Sequence, residues 1–271
     1  MKVAILAGGE GTRLVEETVK KPKAMVELGM RPIIWHIMMH YSHYGFNEFV
    51  IALGYKGESI TRWMKESCNF DRNIIIKTPT SETVVHATND LRQPDWTINL
   101  VETGQKTQTG GRIKRLAPWL DDQTFMLTWC DGLSDVNLEA LLKFHLSHGQ
   151  LATLTAVQPP SRFGHLILNG NSVMRFKEKP KASGYWINGA FFVLEPEIFD
   201  YIDDDNTHWE KEPLERLAND NQLMAYRHKG FWQCMDTLPE KMFLEKMLSE
   251  NRAPWKLWKD NLCDSITRVI S

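Results

Sequence analysis

Val3 to Ala7 is a short unbroken apolar run that stops at Gly8-Gly9, the pattern of a buried parallel strand feeding a loop. Pro32 to Tyr44 then reads as a helix with proline near its first turn and Gly45 at its end, and Glu48 to Leu53 as a second buried strand closed by Gly54. Together they make one βαβ unit. A helix over Glu58 to Cys68, strands near Asn73 to Lys77 and Thr97 to Glu102, a helix starting after Gly110-Gly111 and a strand over Thr124 to Cys130 continue the alternation. Such alternation predicts an α/β fold with a Rossmann-like, mainly parallel sheet flanked by helices.

Beyond Asp131-Gly132 the pattern changes. A helix from Asn137 to His148 is followed by strand-like stretches at Ala152 to Val157, Gly164 to Leu168, Val173 to Lys177 and Trp186 to Leu194, so the sheet is expected to become mixed. Glu195 to Tyr201 and Glu212 to Ala218 read as helical, Leu223 to His228 as a strand, and Pro239 to Ser249 as a final helix. Without a repeat or a low-complexity linker, the expectation is one domain over 1–259, with a nucleotide-side half at about 1–135, a second half at 136–259, and a tail at 260–271.

The 271 residues are 42% hydrophobic, enough for a substantial core, and 32 Lys+Arg balance 34 Asp+Glu, which argues against a general nucleic-acid or membrane-surface binder. Four scattered cysteines form no C-x-x-C pair, and no apolar stretch approaches a membrane span, so a soluble cytoplasmic protein with reduced thiols is expected. His36, His40 and His43 share a helix face, but no nearby carboxylate or cysteine completes a metal site, and they are read as structural.

The candidate chemistry begins at Leu6-Ala7-Gly8-Gly9-Glu10-Gly11-Thr12-Arg13-Leu14. Glycines let backbone N–H groups approach phosphates, and arginine offers a planar fork to their oxygens. The segment is neither the dinucleotide fingerprint nor a P-loop, so dehydrogenase and ATPase readings lose their support. Asp131 ends an apolar strand, where ligands of open α/β sheets bind. Glu178-Lys179 follows another, placing a carboxylate suited to sugar hydroxyls beside an ammonium suited to a sugar phosphate.

With Lys21-Pro22-Lys23 after the glycine loop, the chain resembles the sugar-nucleotide pyrophosphorylases, whose signature is a G-G-x-G-T-R-L loop followed by a K-P-K segment. It is most similar to their glucose-1-phosphate cytidylyltransferase branch through Thr109-Gly110-Gly111-Arg112, Asp131-Gly132, Arg162-Phe163-Gly164, Glu178-Lys179-Pro180-Lys181, Ile187-Asn188-Gly189 and Gly230-Phe231-Trp232-Gln233, among segments running from residue 2 to about 258. The resemblance implies the nucleotide-diphospho-sugar transferase fold and a reaction of CTP with a sugar 1-phosphate. It implies that Leu6, Ala7, Gly8, Gly9, Gly11 and Thr12 bind nucleotide, that Lys23 contacts the triphosphate and that Arg13 faces the leaving pyrophosphate. By the same resemblance Asp131 and Asp236 hold Mg2+, Lys179 neutralises the attacking phosphate, and Gly164, Glu178, Asn188 and Gly189 form the sugar-phosphate site. Thr103 and Gly110 are the candidates for reading the pyrimidine, because small residues there leave room for a ring.

The chain departs from that branch at Cys130, Cys234 and Ala190, where glycine, proline and glycine are usual, and added volume beside the metal leaves the phosphosugar open. The two thiols, carried to one neighbourhood by the aspartates, could respond to oxidants. A sister enzyme with another triphosphate or phosphosugar stays open, as do a noncatalytic nucleotide sensor and a glycosyltransferase using Asp131 to Asp135. The sensor would be free to lose its ionic residues, and the glycosyltransferase leaves the glycine loop and K-P-K segment unexplained. A homo-oligomer is possible on the sequence.

Overall fold

The computed structural model describes residues 1–9, 11, 14–19, 21–66, 74–78, 81–85, 95–159, 163–178 and 185–258. In chain order the first part contains β1 (Lys2–Leu6), α1 (Val15–Thr18), β2 (Glu27–Leu28), β3 (Arg31–Pro32), α2 (Ile33–His43), β4 (Glu48–Leu53), α3 (Gly57–Glu66), β5 (Ile74–Thr78), β6 (Ser81–Val85), β7 (Trp96–Glu102), α4 (Thr109–Leu116), β8 (Phe125–Trp129) and β9 (Gly132–Ser134). The second part contains α5 (Leu138–His148), β10 (Ala152–Val157), β11 (His165–Asn169), β12 (Ser172–Lys177), β13 (Ile187–Leu194), α6 (Glu212–Asn219), β14 (Leu223–Arg227), β15 (Trp232–Cys234) and α7 (Leu238–Ser249).

Among the described residues one nine-stranded sheet runs in the order β14-β10-β13-β8-β1-β4-β7-β5-β6. β8, β1, β4, β7 and β5 are mutually parallel, whereas β13 runs antiparallel to both β8 and β10. The sheet is therefore mixed and mainly parallel, as the pattern predicts. β1 lies between β4 and β8, so the strand order reverses there, and the crevice beyond its carboxyl end is where such sheets bind ligands. The antiparallel β13 presents its first residues, Ile187 to Gly189, at that same edge.

Two apolar layers cover the sheet. Val3, Ile5, Phe49, Ile51, Ile98 and Met126 face α2 and the chain around Trp255, while Ala4, Val50, Phe125, Leu127, Phe192 and Leu194 face α4, α6 and Trp209. Alternate residues of one strand enter opposite cores, which makes these strands continuous apolar runs. Capping fixes the ends of α5 and α7. The Asn137 side chain accepts from Ala140 N at 2.8 Å and Gly149 closes α5 at φ +68°, while Thr237 and Glu240 form a capping box on α7.

Two expectations are corrected, and one pairing is added. α4 begins at Thr109 instead of after the glycine pair, because Gly110 and Gly111 lie inside its first turn against the 205–207 backbone; a Cβ on Gly111 would stand 2.5 Å from Asp205 Cα. The Glu195 to Tyr201 segment is a 3-10 helix over Pro196–Tyr201. The short antiparallel pair β9·β15, too brief to give a period, has no counterpart in the pattern.

Candidate active site

The carboxyl ends of β1, β7 and β8 open on a cavity of about 840 Å3, lined by Gly8, Gly9 and Gly11 and by Gln105 to Thr109. Lys23, Cys130, Asp131 and Asp236 are also among its lining residues. Lys23 lies on a one-turn 3-10 helix after Pro22 and reaches Asp131 Oδ2 at 2.9 Å, and its Nζ also donates to Asp236 Oδ1. These three charged groups are 108 and 213 residues apart in sequence. Burial draws the Lys23 ammonium toward neutrality, but the charges and hydrogen bonds of Asp131 and Asp236 outweigh it and hold its pKa above the ordinary lysine value.

Asp131 stands two residues past the end of β8, and Asp236 two residues past the end of β15. The two are held in register by β9·β15 pairing and by Met235 N donating to Asp131 O at 2.8 Å. Glu240, on the first turn of α7, accepts from Asp236 N and Thr237 N at 2.8 and 3.0 Å. Two carboxylates converging on one cation make a hard oxygen donor set of the kind Mg2+ takes together with phosphate oxygens. Among the described residues no cluster of three or more His, Cys, Asp or Glu forms a self-sufficient metal site.

Arg112 underlies the glycine loop. Its Nη1 donates to Leu53 O, Thr103 Oγ1 and Gly104 O at 3.1, 2.7 and 2.7 Å, and Nη2 to Gln105 O at 3.2 Å. Burial and the nearby Arg115 pull its pKa below the usual arginine range. Thr103 is not among the residues lining the cavity, and its buried hydroxyl donates to Leu53 O at 2.6 Å and accepts from Arg112. Gly110 is not in the lining either, and its N–H donates to Thr207 O at 2.9 Å. The polar segment Gln105-Lys106-Thr107-Gln108, with Asn206, lines the cavity instead. Sequence reading missed it, although four polar residues between a strand's carboxyl end and a helix were a visible signal.

Leu6, Gly8, Gly9 and Gly11 line the cavity, and Ala7 lies behind it, its N–H donating to Ala52 O. Thr12, Arg13 and Lys179 lie outside the described residues. Gly164 sits against Phe176 and Glu178, at the base of the β11·β12 hairpin. Asn188 and Gly189 stand where β13 slips against β10; the Asn188 side chain accepts from Ala190 N at 2.8 Å, and Gly189 O accepts from Trp232 Nε1 at 2.8 Å. None of these four lines the cavity itself.

Burial pushes the Cys130 thiol up to about 12, so it is not a poised thiolate, and Cys234 Sγ donates to Glu240 Oε1 at 3.7 Å. His36 and His40 bond Leu28 O and Val136 O inside the core. No helix among the described residues is long and apolar enough to cross a membrane.

A switch-point cavity with a glycine wall and an acidic pair is the site of a phosphate-transferring α/β enzyme, and the chain belongs to the nucleotidyl transferase family, which it matches over residues 2–260. It is 47% identical to the glucose-1-phosphate cytidylyltransferase of Salmonella typhimurium (strain LT2), an alignment covering 96% of this chain and 100% of that one. Against a mannose-1-phosphate guanyltransferase of Saccharomyces cerevisiae the identity is 31%, covering 90% of this chain and 63% of the other. The fold matches a UDP-glucose pyrophosphorylase crystallised with UDP-glucose at a TM-score of 0.65 and 15% identity, covering 93% and 99% of the two chains.

Proposed function

We propose that this nucleotidyltransferase joins CTP to α-D-glucose 1-phosphate, releasing CDP-glucose and pyrophosphate. The observation that carries the reading is the convergence of Lys23, Asp131 and Asp236 at the cavity bounded by the glycine loop. The end-to-end identity to the Salmonella cytidylyltransferase, well above that to the guanyltransferase, favours CTP and glucose 1-phosphate over other pairs.

The sugar phosphate oxygen is already anionic and needs no general base. It attacks the α-phosphorus of CTP as the bond to the β-phosphate oxygen breaks in line, so catalysis is positioning and charge neutralisation. Asp131 and Asp236 would hold Mg2+, which when bound supplies charge neutralisation to the phosphates in transfer. The N–H groups of Gly8, Gly9 and Gly11 approach the phosphates. Lys23, kept charged, turns from the carboxylates to the triphosphate, and Arg13 and Lys179 take the roles the family motif implies, at the pyrophosphate and the attacking phosphate. Gln105 to Gln108 read the base, and Glu178, Asn188 and Gly189 bound the sugar.

Several features support one domain over 1–259, with both halves built on a single sheet. The β11·β12 hairpin exposes Leu166, Leu168, Met174 and Phe176, and a lone two-stranded ribbon is marginal by itself, which supports association of copies through it. Light scattering of Phe176→Glu tests that association, a smaller particle being expected.

The test of function is pyrophosphate release with CTP, UTP, dTTP, ATP and GTP, each against a set of sugar 1-phosphates. The highest kcat/KM should fall to CTP with glucose 1-phosphate. A higher value for UTP or dTTP would replace the cytidylyl assignment and leave the reaction class standing.

A further inference from the structure

The two acidic residues of the site flank a ribbon that is not part of the main sheet. Asp131 immediately precedes β9, Asp236 comes shortly after β15, and the strands pair over only three positions, Trp232 with Ser134, Gln233 with Leu133 and Cys234 with Gly132. A ribbon this short does not hold its own register, and a slip of one residue would turn its side chains to the opposite face. Its register therefore depends on what closes its ends.

The far end is closed by Asp135. Its Oδ1 accepts from Phe231 N at 2.7 Å and lies 2.9 Å from His228 Nε2, while its own N–H donates to Phe231 O at 3.2 Å. Ser134 Oγ donates to the same Phe231 carbonyl at 2.8 Å. His228 N donates to Ala156 O at 2.9 Å, so the closure hangs on β10 of the main sheet. Gly230 is the residue over which this closure is built, for a Cβ there would stand 2.4 Å from Asp135 Oδ1 and 2.6 Å from His228 Cε1.

We infer that Asp135 is a positioning residue for the metal-carboxylate pair: by closing the β9·β15 ribbon against Phe231 and His228 it fixes the separation at which Asp131 and Asp236 face the cation. Asp135 is not among the residues lining the cavity and acts only through the ribbon. The inference rests on the reading of Asp131 and Asp236 as the Mg2+ ligands.

Mn2+ bound to the enzyme–CTP complex without glucose 1-phosphate, followed by water-proton relaxation, is the direct readout. Asp135→Ala and Gly230→Ala should each weaken Mn2+ binding and lower kcat by about tenfold, with the KM for glucose 1-phosphate nearly unchanged, the size of effect seen when groups orienting metal ligands are removed. Asp135→Asn, whose amide oxygen still accepts from Phe231 N, should restore most of the binding. A folded Asp135→Ala or Gly230→Ala enzyme that melts earlier yet binds Mn2+ like the wild type overturns the inference, because a merely structural role would look so. If neither folds, His228→Ala decides, and unchanged Mn2+ affinity there is equally fatal. Mn2+ binding that survives Asp131→Asn would remove the metal reading and this inference with it, whereas wild-type protein that binds Mn2+–CTP but makes no CDP-glucose would sink only the substrate assignment.

Discussion

The guanidinium of Arg112 occupies the place where a side chain on Gly8 would have to stand, Nη1 lying 2.4 Å from the position of a Cβ there. Gly54 meets the same atom at the same distance from the end of β4. Two glycines from different loops thus admit one buried arginine, and its hydrogen bonds to Leu53, Thr103, Gly104 and Gln105 tie the ends of β4 and β7 beneath the glycine loop.

That arrangement makes Gly54→Ala informative, since Gly54 is not among the residues lining the cavity. The added methyl cannot push aside a guanidinium fixed by four acceptors, so a loss of about 1–3 kcal/mol in urea unfolding is expected, as for overpacking in a core. In an Arg112→Ala background the same methyl should have almost no effect. Equal losses in both backgrounds would show that the close approach is not what requires glycine.

Lys23 stands between the carboxylates that would hold the metal, so ammonium and divalent cation compete for the same charge. Lys23→Met should lower kcat by at least about 100-fold, because a positioned charge on the phosphates is lost. The same variant should bind Mn2+ more tightly than the wild type when no nucleotide is present, a change read by electron paramagnetic resonance. Weaker Mn2+ binding in the variant would mean that Lys23 holds the carboxylates in place without competing for them.

Ala190 sits at φ +63°, in the left-handed region, where β13 slips against β10 and the Asn188 side chain caps its N–H. A Cβ disfavours that conformation, and glycine does not share the penalty. Ala190→Gly should therefore raise stability by about 0.5–1 kcal/mol, the relief being partly offset by the greater freedom of glycine in the unfolded chain. A decrease in the urea midpoint would show that the alanine methyl makes a packing contact worth more than the strain.

Much of this was legible in the sequence, and the reasons differ by element. β4 and β10 match their predicted bounds because buried strands with glycine or proline beyond them leave a clear run. Asp131 and Lys23 could be placed at the sheet's carboxyl edge from strand ends and motif spacing. The part that was not legible depends on contacts between distant segments. Nothing local in the sequence shows that the Thr103 hydroxyl bonds Leu53 O and Arg112, 50 and 9 residues away. Nor could the pairing of 132–134 with 232–234 be read from either segment, each being three residues long.

His40 shows how burial of a titratable group sets the acid limit of the fold. It lies inside the core between α2 and β13, with Nε2 donating to Val136 O at 3.0 Å and the rings of Tyr41, Tyr44 and Phe191 around it. Burial depresses its pKa from 6.5 to about 4, against the bond to Val136, while the charge of His43 lowers it further and that of Asp135 raises it. Asp135 has its own pKa held below the usual aspartate value by His228 and the Phe231 N–H, despite its burial, so it stays ionised throughout this window. With the folded pKa below the unfolded one, the unfolded chain takes up the proton first as pH falls. Stability from this group is complete above pH 6.5, drains away between 6.5 and 4, and changes no further below that. At about 1.4 kcal/mol per unit the whole loss is roughly 3 kcal/mol. His40→Gln keeps a donor for Val136 O and removes the titration, so it should be less stable than the wild type at pH 7.5, by the imperfect fit of the amide, and should close that gap as pH falls toward 4.5. Urea unfolding of both proteins at pH 7.5, 6.5, 5.5 and 4.5 measures the gap directly. A difference that stays constant across that range would mean that His40 carries its proton in the folded core, or that the core opens to water around it before the proton arrives.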